Sequence, residues 1–299
     1  MTDKVPVTSL SALPFGCQEQ ALQSLSKLPP FTPILTTLLA NLANEDVSFA
    51  RLASLIEKDT VLAGNVLRLV NSVLYGRLGT ITSVSHAISI MGLPKLQKLA
   101  LGFSVHRLWN SVRPPRGWSL SRFNLHSVAV GIACDLLAQR THLAYPEGAF
   151  VCGLFHDLGE LLIAISLPQQ TDEIQRLTAL NLGREKCQRE VLGWTAAELS
   201  AAALEKWNLP KPVQMAVAYQ HCPSSAPPET FQGLSFSLSD VLSAANEIAN
   251  ETGISIEPFF GEPAADAGHA ALDVLGLGSD AENIVAEFRA EYSSLRELV

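Results

Sequence analysis

Residues 150–160 read Phe150-Val-Cys-Gly-Leu-Phe-His-Asp-Leu-Gly-Glu160, and this stretch decides the fold. It places the adjacent pair His156-Asp157 inside an apolar segment, with glycines three residues to either side of the histidine. Glycines there let neighbouring helices approach closely. Apolar residues continue around the pair, so one helix is predicted from about Pro146 to Ile165. Adjacent side chains on a helix point about 100° apart, so the pair can share an ion only if other helices supply further ligands.

Helical periodicity recurs outward from this stretch, and the alternation typical of strands is nearly absent. Thr32, Asp59 and Ser83 are predicted N-caps, and Thr195-x-x-Glu198 and Ser279-x-x-Glu282 match the capping-box pattern. Residues 110–119 contain two prolines and a glycine, which marks an internal boundary. The sequence therefore predicts an all-α fold of two helical lobes. Its segments are an N-terminal tail at 1–20, a lobe of small helices at 21–112, a second helical bundle at 118–252 and a helical extension at 253–299.

Composition restricts the class of protein. Of 299 residues, 47% are hydrophobic and 17% charged, which provides a core and argues against disorder. Apolar runs are interrupted before 18 residues, so neither a transmembrane helix nor a membrane partner is expected, and the first residues lack a signal-peptide layout. The five cysteines are odd in number and form no C-x-x-C, which predicts a reducing, cytoplasmic location. The net charge of −8 disfavours binding to nucleic acid.

Four residues of the second lobe form a candidate metal site: His126, His156, Asp157 and Asp240. Imidazole and carboxylate ligands together suit Fe, Mn, Zn or Mg, depending on geometry. A site between facing helices of a bundle is common. Each residue also has a structural interpretation. His126 can instead be a buried, hydrogen-bonded core residue that binds no metal. Asp157 can bridge helices, and Asp240 can be the first-turn carboxylate of its own helix, predicted at about 237–250.

The chain resembles the HDOD family, the regulatory branch of the HD and HD-GYP metal-dependent phosphohydrolases. Residues 150–160 are similar to the HD signature helix, and the resemblance extends from about residue 20 to 222. The first lobe carries matching motifs in the right order: Leu28-Pro29-Pro30-Phe31, Leu55-Ile56-Glu57-Lys58-Asp59, Leu67-Arg68-Leu69-Val70-Asn71-Ser72, Tyr75-Gly76, Ile81-Thr82-Ser83-Val84 and Ala87-Ile88-Ser89-Ile90-Met91-Gly92.

The resemblance implies an all-α fold and a role in bacterial signal transduction, in a group generally regarded as having lost HD catalysis. It also implies that His126, His156, Asp157 and Asp240 correspond to the core HD ligands. The wider set of two-metal HD-GYP enzymes is absent, because residues 192–196 contain no histidine and residues 219–222 contain only His221. At most one divalent ion is therefore expected.

Two functions from different classes follow. The first is a regulatory module that binds a signalling protein or a small nucleotide, with little or no catalysis. The alternative is a mononuclear metal-dependent phosphohydrolase or phosphodiesterase acting on nucleotides or cyclic dinucleotides, with Asp157 and Glu160 as catalytic candidates. We favour a solvated helix face for Glu160. His221, Lys206 and Arg122 are candidate cleft residues, and the extension at 253–299 either forms a homodimer or covers the second lobe.

Overall fold

A computed structural model of the protein describes residues 15–28, 30–40, 49–71, 81–180, 183–226, 236–256 and 266–296. Every regular element within those ranges is a helix, which confirms the predicted all-α class. The predicted break at Tyr75-Gly76 lies outside the described residues. The α-helices are α1 (Phe15–Gln23), α2 (Pro33–Ala40), α3 (Phe49–Glu57), α4 (Thr60–Val70), α5 (Val84–Met91), α6 (Leu93–Asn110), α7 (Leu120–Ala138), α8 (Ala149–Phe155), α9 (Leu158–Ser166), α10 (Pro168–Thr178), α11 (Arg184–Leu192), α12 (Ala196–Lys206), α13 (Lys211–Ala218), α14 (Leu238–Glu251), α15 (Ala267–Val274) and α16 (Ala281–Arg296).

Several helices begin at the capping residues that the sequence predicts. The Asp59 side chain accepts a hydrogen bond from the Leu62 amide at 3.1 Å, at the start of α4. Ser83 caps α5 in the same way. The predicted capping box of Thr195 is present at α12. Where the second box was predicted, a 3-10 turn at Gly278–Asp280 leads into α16.

The first and the last two of the described α-helices all pack on the second bundle. Helices α2 to α6 contact one another, as do α7 to α9 and α12 to α14. The N-terminal α1 packs on α9 and α12, whereas α15 packs on α14 and α16 on α7. The C-terminal helices therefore cover the second lobe, which was one of the two expectations for them.

Aromatic side chains join the first lobe to the second. The indole of Trp109, on α6, lies 5.8 Å from the ring of Phe123, 6.0 Å from Phe155 and 6.5 Å from Trp207, measured between ring centroids. Trp109 and Phe155 are fully buried. Phe155 of this cluster directly precedes His156, so the same packing that joins the lobes supports the residues of the site.

The single helix predicted from Pro146 to Ile165 is interrupted. Helix α8 ends at Phe155 and α9 begins at Leu158, so His156 and Asp157 occupy the junction. Asp157 has φ −102° and ψ 18°, outside the helical region, which turns the chain between the helices. The stretch Pro146–Ser166 is long and apolar enough to span a membrane, but 89% of its most apolar window is buried inside the fold, as in a core helix.

Glycines at the predicted positions allow two close helix crossings. A Cβ atom added to Gly153 of α8 would lie 2.5 Å from the Cα of Gly131 on α7. A Cβ added to Gly159 of α9 would overlap the backbone of Ala196 at the start of α12. These contacts confirm the role predicted for the two glycines, because no larger residue fits either crossing.

Candidate metal centre and cleft

His126 projects from α7 into the second bundle, where 3% of its surface is exposed. Its Nδ1 atom lies 2.8 Å from the carbonyl oxygen of Ile254, in the segment after α14. Because a carbonyl oxygen only accepts, Nδ1 carries the proton and donates it. In the neutral ring Nε2 then keeps its lone pair and can bind a metal ion.

His156 is held in the same manner at the end of α8. Its Nδ1 donates to the carbonyl oxygen of Gly153 at 2.7 Å, and none of its surface is exposed. Its Nε2 is buried and lies beside the Asp157 carboxylate. A buried polar atom needs a partner, so Nε2 either carries a proton that it shares with Asp157 or binds a metal ion.

Asp157 brings a carboxylate to both imidazoles. Its Oδ2 atom lies 3.0 Å from His156 Nε2 and 3.5 Å from His126 Nε2. One ligand atom from each residue falls within 4.8 Å of the others. Two nitrogen lone pairs and an anionic oxygen directed at one another repel unless a proton or a metal ion lies between them. The three residues therefore fit a divalent ion with mixed nitrogen and oxygen ligands.

Burial and neighbouring charge set the protonation of these groups. Burial lowers the pKa of His126 to about 4, and the positive form of nearby His156 adds to the effect. For His156, burial also favours the neutral ring, but the charge of Asp157 outweighs it and the pKa is raised. Burial works against ionisation of Asp157, yet the His156 and His126 charges hold its pKa well below the ordinary value. At neutral pH the site thus presents a neutral His126 and an ionised Asp157.

Asp240 does not join this group, which corrects the four-ligand prediction. Its Oδ2 atom accepts hydrogen bonds from the Ser237 amide and the Ser237 hydroxyl, both at 2.7 Å. The Asp240 amide in turn donates to the Ser237 hydroxyl, which completes a capping box at the start of α14. The carboxylate is occupied there because its own helix leaves amides unpaired at its N-terminus.

Glu160 is buried in an ion pair, not on a solvated helix face. Its carboxylate accepts two hydrogen bonds from Arg184, at 2.8 and 2.7 Å, and one from the Gln188 side chain at 2.6 Å. Only 7% of the residue is exposed. Gln188 also accepts from the Ala196 amide at 2.8 Å, so the network ties α9 to α11 and α12.

A cleft of about 390 Å³ opens beside the three converging residues. His126, Asp157 and Glu160 line it, and so does His221, as predicted. Lys206 and Arg122 are exposed and lie outside the lining. The cations that line it instead, Arg184 and Lys186, belong to the first turn of α11. The remaining residues of the lining are Gly183, Glu185, Gln188, Asn246, Asn250, Ser255 and Ile256.

Sequence reasoning missed Asn246, which lines the cleft together with His126. Asn246 lies six residues after Asp240 on α14, the helix that was predicted at about 237–250. Arg184 was missed because nothing in its local sequence indicates a partner 24 residues away. For Asp240, the pattern Ser237-x-x-Asp240 was a usable signal of a capping role.

Comparison with known proteins gives one family match and several related structures. The HDOD domain model matches residues 28–223. An "Uncharacterized protein" of Treponema pallidum (strain Nichols) is 26% identical over 208 residues, which is 69% of this chain and 40% of that protein. The chain thus spans less than half the length of that relative.

Two solved structures share the fold over nearly the whole chain. An "HDOD domain protein with unknown function" from Geobacter sulfurreducens has a TM-score of 0.74 at 22% identity, covering 94% of this chain and 96% of that one. A "Putative phosphohydrolase" from Shewanella amazonensis SB2B has a TM-score of 0.71 at 26% identity, covering 93% of this chain and 97% of that one. The helical architecture of both lobes is therefore shared.

Proposed function

Because the chain belongs to the HDOD domain family, we propose that it is a bacterial regulatory module that binds one divalent metal ion and a small phosphate-bearing ligand, with little or no catalysis. The ion would be held by His126, His156 and Asp157, and the ligand would occupy the adjoining cleft. A nucleotide is the ligand class that sequence reasoning favours, and a signalling protein is the expected partner. A cytoplasmic location remains part of the proposal.

One observation supports the metal site above all others: two imidazole Nε2 atoms and one carboxylate oxygen converge within 4.8 Å. Both imidazoles donate Nδ1–H to backbone carbonyls, so both would present Nε2 to an ion, which on His156 would replace the proton shared with Asp157. Such backbone partners fix ring orientation and tautomer in metal sites. Two nitrogen ligands and one oxygen ligand favour Fe, Mn or Zn over Mg.

The surroundings of the three residues favour binding over turnover. A bound divalent ion would polarise a phosphoryl oxygen and lower the pKa of bound water. Hydrolysis also needs a group free to accept a proton. Two glutamates line the cleft with Asp157: Arg184 and Gln188 hold both oxygens of Glu160, and Glu185 belongs to the first turn of α11. Asp240 is held in its capping box.

The second candidate is a mononuclear phosphohydrolase. The specific observation in its favour is the position of His221, an exposed side chain that lines the cleft close enough for its charge to lower the pKa of Asp157. Histidine is the side chain that most often acts as a general acid or base. The name of the Shewanella amazonensis relative is consistent with this class of reaction.

Metal content and hydrolysis, measured on the full chain, separate the two functions. Protein purified without chelator would be analysed for metals as wild type, His156→Ala and the control His142→Ala, which changes an exposed histidine of the same lobe. We expect about one ion per chain in wild type and control, and none in His156→Ala. At a hundredfold excess over Kd, the metal should add about 2.7 kcal/mol to the free energy of unfolding.

Bis(p-nitrophenyl) phosphate serves as the probe for hydrolysis. A regulatory module should cleave it no faster than His156→Ala does. Metal-dependent cleavage that disappears in His156→Ala would establish the phosphohydrolase instead. Equal metal content in wild type and His156→Ala would overturn the metal site itself.

A further inference from the structure

Helix α14 ends in a turn that depends on a glycine. Gly253 adopts φ +81°, in the left-handed region that other residues rarely occupy. Its amide donates to the Asn250 carbonyl at 3.0 Å, and the Ile254 amide donates to the Ala249 carbonyl at 2.9 Å. These two bonds form a Schellman motif, which reverses the chain sharply at the end of a helix.

The same turn supplies the carbonyl that holds His126. The Ile254 amide is bonded back to α14, and the Ile254 carbonyl oxygen accepts from His126 Nδ1 at 2.8 Å. The peptide groups on both sides of Ile254 are therefore fixed. A carbonyl held in this way keeps the imidazole in one tautomer and one orientation, with Nε2 towards Asp157.

The turn is also anchored from its outer side. Glu251, in the last turn of α14, accepts from the Gly268 amide at 2.6 Å and lies 3.1 Å from His269 Nδ1. Both partners belong to the first turn of α15. The position of Ile254 thus depends on the backbone of Gly253 and on the docking of α15, which are both remote from the three converging residues in sequence.

We propose that Gly253 is a positioning residue of the metal centre, whose left-handed turn holds the Ile254 carbonyl where it selects the ligating tautomer of His126. The inference rests on the metal site proposed above. A Cβ at Gly253 would meet nothing within 4 Å, so a substitution acts only through the backbone angle. Loss of a backbone partner that orients a ligand typically weakens metal affinity by about 10- to 100-fold.

The chain offers a matched control at the end of α15. Gly276 has φ +71° and open space around its Cα. Its amide donates to the Asp273 carbonyl at 3.0 Å, and the Leu277 amide donates to Leu272 at 2.8 Å, so it occupies the same motif. Alanine at either glycine should impose the same backbone strain, but only Gly253 lies next to a residue that holds His126.

The experiment compares wild type, Gly253→Ala, Gly253→Asn and Gly276→Ala in the full chain. Zn²⁺ affinity would be measured by competition with a chromophoric chelator, and Tm by calorimetry. We expect similar losses of Tm in the two alanine variants, and a Kd raised about tenfold in Gly253→Ala alone. Because asparagine tolerates the left-handed region, Gly253→Asn should recover most of the affinity. A Kd for Gly253→Ala within twofold of that for Gly276→Ala would overturn the proposal.

A second readout needs no metal. Nitrogen NMR of the metal-free protein reports which nitrogen of His126 carries the proton. Wild type and Gly276→Ala should hold it on Nδ1, whereas Gly253→Ala should show a mixture of tautomers. A pure Nδ1 tautomer in Gly253→Ala would contradict the inference. If wild type fails to bind Zn²⁺, the proposed metal site fails, and the tautomer comparison still decides the role of Gly253.

Discussion

Gly153 of α8 faces Gly131 of α7 so closely that a Cβ on Gly153 would lie 2.5 Å from the Gly131 Cα. His126 precedes this crossing on α7 and His156 follows it just beyond α8, and their ring centroids are 5.1 Å apart. The two imidazoles come together because the backbones carrying them are in direct contact at the glycines.

Gly153→Ala should therefore destabilise the protein and disturb the metal centre. The added methyl group meets backbone that cannot move aside, which costs about 3 kcal/mol of unfolding free energy. Gly102→Ala is the control, because its Cβ would lie at an ordinary 3.6 Å from Phe150 and a helical alanine gains up to about 1 kcal/mol. Denaturant unfolding measures both. Equal stability of the two variants would mean that the helices do not cross at Gly153.

Asp240→Ala tests the capping role that the structure gives this residue. Loss of the capping box should reduce the free energy of unfolding by about 1 kcal/mol and leave metal affinity unchanged. Asp157→Ala should instead abolish metal binding. Thermal unfolding and metal titration, run on both variants, make the comparison. Loss of metal from Asp240→Ala would return Asp240 to the ligand set.

Glu160→Gln should loosen α11 from α9. Neutralising Glu160 removes the largely buried carboxylate that pairs with Arg184, at a cost of about 2–4 kcal/mol, since 22% of the Arg184 side chain stays in contact with water. Glu173→Gln is the control, because its pair with Arg176 is exposed and its removal should leave Tm unchanged. A Tm for Glu160→Gln equal to the wild-type value would show that the pair contributes nothing.

The pair of Asp59 with Arg107 predicts a pH-dependent part of the stability. The Arg107 hydrogen bonds hold the pKa of Asp59 below its ordinary value, in spite of partial burial that acts the other way. A lowered folded-state pKa contributes stability that is present above the ordinary value of about 3.9 and is lost as the pH falls below it. Water screens the pair, because 40% of the Arg107 side chain is exposed, so the contribution is at most about 1 kcal/mol.

Asp59→Asn keeps a good N-cap and removes the charge. Its free energy of unfolding should be lower than that of wild type at pH 7 and equal to it at the acid end of the transition. Urea unfolding between pH 7 and about pH 2 measures the difference, because the loss is complete only below the lowered pKa of Asp59. A difference independent of pH would assign the effect to the cap and not to the ion pair.

Sequence alone predicts features that depend on near neighbours. The caps at Asp59 and Ser83, and the glycines that permit close crossings, follow from residue types a few positions apart. The same local reasoning fails at His156-Asp157, where a continuous apolar pattern conceals a break between α8 and α9. That break directs both side chains to one point, because the non-helical backbone of Asp157 replaces the 100° separation of a helix.

Long-range partners account for the remaining errors. The carbonyl that holds His126 belongs to a residue 128 positions away, and any residue has a carbonyl, so the sequence carries no mark of it. The local sequence around Arg184 likewise gives no signal that it pairs with Glu160, which lies 24 residues earlier in the chain. Asp240 was predicted to be a ligand because an aspartate at this position of the helix suits a metal ligand and a capping residue equally well.

The hydrogen bond from His126 to Ile254 bears on where this functional unit ends. The family match stops at residue 223, whereas the carbonyl that orients His126 lies 31 positions further on. A fragment trimmed to the matched segment would retain all three candidate ligands and lose α14 entirely. In that fragment His126 would lack the Ile254 carbonyl that accepts its Nδ1 proton. The shortest fragment that can reproduce the site therefore extends at least through Ile254.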